Sequence, residues 1–526
     1  MPYSYLSFAA AVTELASRLQ DYPAPPVYWN QPDELLNCLI EAVRLFNALT
    51  GSYKARMAFP TIANQVYYDL PSQPGSPIPY TVTDVEVANN VLAALLEPPI
   101  TYPTWVGTGQ FTLAQLQDAL QNRLNRFLSD TGCTVTQRTI AGPTPPSDIA
   151  PLPEGTSDVR RAAWIPLGAG ASSYRIFVDQ ITPAGAQNGF NRVFTLPQAP
   201  DPPQSLVLIL NGVTLAQGSD YTLSGATITF LLGATIPDPT TLSFLAWYRY
   251  FGVTPAGGTG VYPLGRLDEW AEQAYMPAAI QNPDQPISYS VFGVGPQQIR
   301  AVPPPVNEGS MDLLLVLSGP ALSLNPTSPV LLGVPDDLSP ALKWGVLADL
   351  LGSDGPSRDY ARAAYCEQRY AEFVQIALVY PSVMTADVNN ITCGVGSVFD
   401  MDSYLAEWQY TVGEPSFVGM CGRNMACVGV TPDGTYGIGL WLCANMPTSG
   451  YVQIGRGQID PVLDYAQHIA SFKMAGAEFD GTTRLYQNLI ECAKSQNGRL
   501  SAVAFYKGQL DQPAAKSELE VARVVR

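Results

Sequence analysis

The residues that could do chemistry are few and scattered. One histidine, His468, stands alone in 526 residues, with Asp464 one helical turn before it, a spacing at which a carboxylate and an imidazole could work as acid and base. No serine or cysteine motif points toward that pair, so a packed or salt-bridged helical histidine is the reading its surroundings favour. Asp400 and Asp402 form a short acidic pair, far below the six or more oxygens that Ca²⁺ takes. Eight cysteines lie at 38, 133, 366, 393, 421, 427, 443 and 492. Cys421 and Cys427 are too far apart for a CxxC knuckle, and a single histidine makes a Cys/His zinc set improbable. The thiols read as small buried hydrophobes in reduced form. Phosphate-loop, nucleophile-elbow, HExxH and EF-hand patterns are all missing from the sequence. The expectation is a protein that is not an enzyme and uses no cofactor or metal.

Arg358, Arg362 and Arg369 recur at helical spacing. They form either a solvated face paired locally with Asp359 or Glu367, or a row of charges that meets an acidic neighbour in an assembly.

The elements that must position these residues include a helical hairpin that occurs twice. Pro340, Leu342, Trp344, Gly355, Asp359 and Tyr365 align without a gap, 121 positions on, with Pro461, Leu463, Tyr465, Gly476, Asp480 and Tyr486. Ser339 and Asp460 are suited to cap the first helix of each copy, each followed by a proline for the first turn. Gly355 and Gly476 suit the stop before the second helix. A weaker echo at an offset of 81 relates Leu35, Leu39, Val43, Phe46, Thr50 and Gly51 to Leu116, Leu120, Leu124, Phe127, Thr131 and Gly132. Shared helical periodicity accounts for that echo as well as duplication does.

Composition bounds the class. A chain with 46% hydrophobic residues can fill sizeable cores, and its length suits about three domains. Only 14% of residues are charged, whereas 47 prolines and 44 glycines imply many turns. The net charge of −17 argues against a general nucleic-acid-binding surface, although an acidic wall is one that a polyanion can slide past. No apolar run approaches the ~20 residues of a membrane span, and synthesis in a cytoplasm is expected.

Along the chain, helical spacing covers Ser4 to Arg18 and Gln31 to Leu49. Residues 54–110 read as short extended pieces with prolines. A helix then opens at Thr112, with Gln115 completing a capping box, and runs to about Ser129. Six strands are expected between Ser173 and Tyr250, with Asn211-Gly212 as a hairpin turn, and they describe an antiparallel sandwich inserted into the helical chain. A short helix at Leu267 to Tyr275, strands at Ile287 to Phe292 and Met311 to Ser318, the first hairpin, a β-rich segment, the second hairpin and a helix near Leu500 to Gln509 follow. The fold class expected is α+β. The domains expected are a discontinuous helical core at 1–169 plus 255–382, the inserted sandwich at 170–254, a β-rich segment at 383–457, and the second hairpin with its tail at 458–526.

Four stretches carry a resemblance to a known family. They are Tyr28-Trp29-Asn30 with Glu34-Leu35 and Glu41-Ala42-Val43-Arg44; Asp158-Val159-Arg160-Arg161-Ala162-Ala163-Trp164; Val334-Pro335-Asp336-Asp337-Leu338 leading through Leu342-Lys343-Trp344-Gly345 to Tyr365-Cys366-Glu367-Gln368-Arg369-Tyr370; and the helical region from Ile459 to Cys492. Together they resemble the head-to-tail adaptor, or connector, proteins of tailed bacteriophages. The insert separately resembles immunoglobulin-like modules of phage particles, through Leu210-Asn211-Gly212-Val213, Asp220-Tyr221-Thr222 and Tyr248-Arg249-Tyr250.

The resemblance implies a virion protein at the head-tail junction, a dodecameric ring of identical copies under the portal, DNA passing through without specific binding, and no membrane. It implies contacts with portal protein and with tail nozzle or fibre proteins. Arg358, Arg362 and Arg369, with Val521, Val524 and Val525 of the tail at 511–526, are the expected subunit or portal contacts. The chain's length, insert and duplicated hairpin depart from small adaptors and leave the subunit number open. The alternatives are a tail nozzle or fibre-bearing collar protein, a sandwich that grips a glycan, and a virion-associated wall hydrolase.

Overall fold

The computed structural model describes residues 5–20, 29, 33–60, 62, 65–101, 105–144, 147–166, 175–200, 203, 206–241, 243–251, 262–268, 286–293, 298–305, 308–355, 358–383, 386–390, 396–399, 417–428, 437–474 and 476–507. Asp400, Asp402, Cys393, Val521, Val524, Val525 and most of the helix expected at Leu267 to Tyr275 lie outside the described residues.

Within the described residues the protein is mixed α+β. Helix α1 (Phe8–Arg18) opens on Ser7, whose hydroxyl accepts the Ala10 amide proton. Helix α2 (Asp33–Thr50) buries Leu35, Leu39, Ala42, Val43, Leu45, Phe46 and Leu49. Helix α3 (Asp84–Ala94) lies in the stretch read as extended pieces. Its signal was present, because Thr83 followed three positions on by Glu86 is a capping pattern, and Thr83 caps the Glu86 amide. Helix α4 (Leu113–Thr131) has the expected reciprocal capping box of Thr112 and Gln115, and ends on Gly132 in the left-handed region at φ +56°.

The hairpins contain α5 (Pro340–Gly352) with α6 (Tyr360–Val383), and α7 (Ile459–Ser471) with α8 (Gly476–Gly481) and α9 (Thr483–Gln496). The expected caps do not cap. Ser339 already has helical dihedrals because a 3-10 turn, Asp336–Leu338, runs straight into α5, and its hydroxyl donates to the Asp336 carbonyl. Asp460 lies inside α7 and accepts from Arg18 instead. Helix α5 ends at Gly352, before Gly355. The last expected helix is a 3-10 turn, Gly498–Ala502.

Helices from both ends of the chain share one apolar core. It joins Leu15 of α1, Leu39 and Phe46 of α2, Leu92 of α3, Leu124 of α4, Trp344 and Leu347 of α5, Phe373 of α6, Leu463 of α7 and Leu489 of α9. The second hairpin is thus part of the same body as the first. Residues 54–60 likewise pair with the late segment: Lys54–Pro60 runs antiparallel to Gly437–Cys443, with Met57 opposite Leu440. Tyr67–Asp69 pairs with Met425–Val428.

The stretch around Asp158 to Trp164 lies in the long strand Thr156–Pro166, inside a seven-stranded sheet. Its order is Thr136–Ala141, Gly309–Leu317, Thr156–Pro166, Tyr262–Arg266, Ser288–Phe292, Gln298–Val302 and Ile149–Pro151. The insert forms two antiparallel sheets of three and four strands around one core of Phe194, Leu208, Tyr221, Ile228, Phe230, Phe244 and Tyr248. The Asn211-Gly212 turn has both residues at positive φ, +50° and +78°, as a two-residue hairpin requires. Tyr221 and Tyr248 fill this core, and Trp247 and Tyr250 are half-buried, so these rings do not form an open stacking platform. No helix among the described residues is long and apolar enough to cross a membrane.

Candidate functional site: a buried polar cluster between the repeated hairpins

Repeat-equivalent residues meet in one place. In the first hairpin the Trp344 ring of α5 meets the Tyr365 ring of α6 edge-on at 5.6 Å; in the second, Tyr465 of α7 meets Tyr486 of α9 at 5.5 Å. The matching contact follows from matching positions in each hairpin. Arg369 of α6 then reaches into the second copy, its guanidinium 4.1 Å from the Tyr486 ring centre and 5.3 Å from that of Tyr465.

Polar bonds tie the junction. Arg369 Nη1 donates to Glu372 Oε2 at 2.5 Å and Nη2 donates to the Tyr465 hydroxyl at 2.5 Å. Glu372 also accepts from the Tyr486 hydroxyl at 2.7 Å and from the Tyr506 amide. On the far side Glu41 of α2 accepts from Lys343 Nζ at 2.7 Å and from Trp344 Nε1 at 2.8 Å. Arg369 and Glu372 are 1% exposed, and Glu41 and Lys343 no more than 8%. Burial opposes charge on Lys343, yet Glu41 beside it outweighs this and raises the ammonium pKa above the ordinary lysine value. Burial pushes the Glu372 carboxyl up, and Arg369 pulls it back toward the charged form.

His468 belongs to the same cluster but does not pair with Asp464. Its Nε2 lies 2.7 Å from the Tyr365 hydroxyl and its Nδ1 2.8 Å from Thr482 Oγ1. Thr482 donates its own proton to the Phe479 carbonyl, so the network assigns the imidazole proton to Nδ1 and leaves Nε2 to accept from Tyr365. Burial, followed by the charge of Arg369, lowers the His468 pKa to about 3. The ring is therefore neutral at ordinary pH, stacked 4.7 Å from Phe479. Asp464 instead accepts from Arg18 and Asn488.

The arginine row turns inward along α6. Side-chain exposure falls from 43% at Arg358, through 22% at Arg362, to 1% at Arg369. Arg358 precedes the helix, pairing with Asp354 at 2.7 Å and lying over Tyr360. Arg362 pairs with Asp359 at 2.7 Å and approaches the Phe472 ring. Arg369 is spent inside the body and is unavailable as a surface contact, which corrects that expectation. Arg362 and Arg369 share the side of α6 that faces Phe472, Tyr465 and Tyr486, while Arg358 stays outside the helix.

A second knot uses the Asp336-Asp337 motif. Asp336 accepts from the Thr81 amide and hydroxyl and from Asn445 Nδ2. Asp337, fully buried, accepts from Asn47 Nδ2 at 2.8 Å, while Asn47 also donates to the Ala444 carbonyl. Burial raises the Asp337 carboxyl to about 6. Three chain segments, near 47, 81 and 445, are held through these two carboxylates.

Glu372 was not named from sequence, and Glu41 and Lys343 entered only as parts of the stretches that carry the resemblance, not as site residues. Their signal was polar residues interrupting apolar helix faces, such as Lys343 between Leu342 and Trp344. The opening beside the cluster, lined by Glu34, Cys38, Glu41, Lys343 and Lys473, holds about 30 Å³, room for one or two waters. No group of three or more His, Cys, Asp or Glu suited to a metal ion occurs among the described residues. No protein-family model matches this chain, and no curated protein is detectably similar to it.

Proposed function

We propose that this chain is a virion structural protein, a head-to-tail adaptor of a tailed bacteriophage that assembles as a ring beneath the portal, continues the DNA passage and anchors tail components. One observation carries the reading. Three of the four stretches that resemble the adaptor family converge on the buried cluster, through Glu41, then Lys343, Trp344, Tyr365 and Arg369, then Tyr465, His468 and Tyr486. The fourth lies in the central part of the seven-stranded sheet. The residues behind the resemblance thus fix helices against each other, which suits a load-bearing wall. Acid and base groups that pair with one another inside the body suit holding a shape.

The insert, with its own core, suits an outward immunoglobulin-like decoration, and an acidic chain suits a bore through which DNA slides. The test is sedimentation and negative-stain imaging of the purified chain, alone and mixed with the portal protein of its phage. Ring particles that co-sediment with portal are expected. A chain that stays monomeric in both conditions overturns the reading, and rings that bind only tail components replace it with a nozzle or collar role.

A further inference from the structure

Lys507, the last described residue, lies on a track that leads onto open surface. After the 3-10 turn Gly498–Ala502, residues 503–507 run back along α9 and α6. Val503 and Phe505 are buried, and Lys494 of α9 lies over the Phe505 ring at 5.1 Å. The Ala504 amide donates to Gln375 Oε1 at 2.9 Å, the Tyr506 amide donates to Glu372, and Gln487 Nε2 of α9 donates to the Lys507 carbonyl at 2.5 Å. The Tyr506 ring meets that of Tyr365 at 5.0 Å. Partners on α6 thus step from 375 to 372 to 365, so the segment heads toward the start of that helix.

Ahead of it lies the outward face of α6, where Ala361, Ala364, Gln368, Ala371 and Gln375 follow steps of three and four. The three alanines are exposed, and their single methyls let another backbone come close. Gln375 already accepts a backbone amide from the segment. Gln368 stands two turns before it on the same face, about 10 Å away, a distance that an extended chain covers in about three residues. The residues after Lys507 are therefore the ones brought to it. In the second hairpin the matching positions of Gln368 and Ala364 are Leu489, fully buried, and Leu485, half-buried, so that face is covered within the chain.

The sequence after Lys507 suits this surface. Val521-Ala522-Arg523-Val524-Val525-Arg526 is apolar apart from two arginines, while Asp511, Glu518 and Glu520 come earlier, beside Lys516. Around the α6 face the charges leave carboxylate in excess. Arg123 is shared by Asp349 and Glu367, Arg126 by Asp130 and Glu367, and Arg358 holds Asp354.

We propose that residues 508–526 dock along this face of α6 in the same copy. Gln368 bonds their backbone as Gln375 bonds Ala504, Val521, Val524 and Val525 lie on the alanines, and Arg523 and Arg526 turn toward the excess carboxylate. From Glu372 to Tyr360 the face runs about 18 Å, which residues 508–526 span with chain to spare. The contact belongs to the single chain and is independent of the ring reading.

The test uses the full chain at low concentration. A benzophenone maleimide is attached at Ala364→Cys, in a Cys393→Ser and Cys492→Ser background whose other thiols are buried. After irradiation, tryptic peptides from 508–526 are expected on the probe in a band of single-chain mass. Capture of another copy, whether its tail or its body, or of no part of 508–526, overturns the proposal. Val521→Asp, Val524→Asp and Val525→Asp together, with circular dichroism to verify folding, should speed maleimide labelling at Ala364→Cys at least about tenfold, the factor that 1.4 kcal/mol of docking supplies. An unchanged labelling rate also overturns it.

Discussion

Exchanging Arg369 for isoleucine, the residue at the equivalent position 490 of the second hairpin, is the sharpest probe of the buried cluster. Glu372 would keep the Tyr486 hydroxyl and the Tyr506 amide but lose Arg369, its ion-pair partner among the described residues, at 1% exposure. Breaking a buried pair from one side costs about 3–5 kcal/mol. Loss of the bond from Arg369 to the Tyr465 hydroxyl adds about 1 kcal/mol. Against a stability of roughly 5–15 kcal/mol for a domain, Arg369→Ile should lower the melting temperature of the helical body by about 10 °C. Glu372→Ala, copying Ala493, strands the guanidinium instead and should cost a similar amount. The double variant removes both charges, leaving unpaired tyrosine hydroxyls and a small cavity, and should be less damaging than the sum of the singles by about 2–3 kcal/mol. Urea unfolding followed by helical circular dichroism measures all three. Strict additivity, or a cost below about 1 kcal/mol for Arg369→Ile, would refute the idea that this pair locks the hairpins.

Four further outcomes follow from the geometry. His468, whose folded pKa of about 3 lies below the ordinary 6.5, contributes stability that is complete above pH 6.5 and lost as pH falls toward 3, about 2–3 kcal/mol between pH 6.5 and 4.5. Acid titration of stability should be shallower in His468→Leu. Asp337 has the opposite sign, since its folded pKa of about 6 exceeds the ordinary 3.8: its charged form weakens the fold increasingly from pH 4 to 6. Asp337→Asn should therefore stabilise by about 1–2 kcal/mol at pH 7.5 and by almost nothing at pH 4, seen as a melting shift that vanishes in acid. Burial pushes the thiols of Cys38 and Cys427 up to about 12 and that of Cys366 further. Iodoacetamide at pH 8 should leave them unmodified in the native protein while partly exposed Cys492 reacts, and mass spectrometry before and after denaturation checks this. Thr112→Ala breaks the capping box of α4 and should cost about 1 kcal/mol in thermal melts.

What the sequence determined by itself was local. The capping box at Thr112 and Gln115, the Asn211-Gly212 turn and the six expected strands of the insert lie close to where neighbouring residues placed them, because helical period, cap chemistry and positive φ are settled within a few positions. A seventh strand, Val213–Leu215, was too short to stand out. The duplicated Trp344, Tyr365, Tyr465 and Tyr486 were also legible, although as a repeat and not as a contact. Tertiary structure decided the rest. Ser339 and Asp460 had the right chemistry to cap, but a preceding 3-10 turn and Arg18, more than 400 positions from Asp460, claimed them. Lys54–Pro60 found its neighbour in Gly437–Cys443, a pairing no local window contains. Arg369 looked like a surface charge because spacing gives the side of a helix a residue occupies. Which side meets solvent depends on what packs there, and only the folded chain brings Glu372, Tyr465 and Tyr486 around that guanidinium.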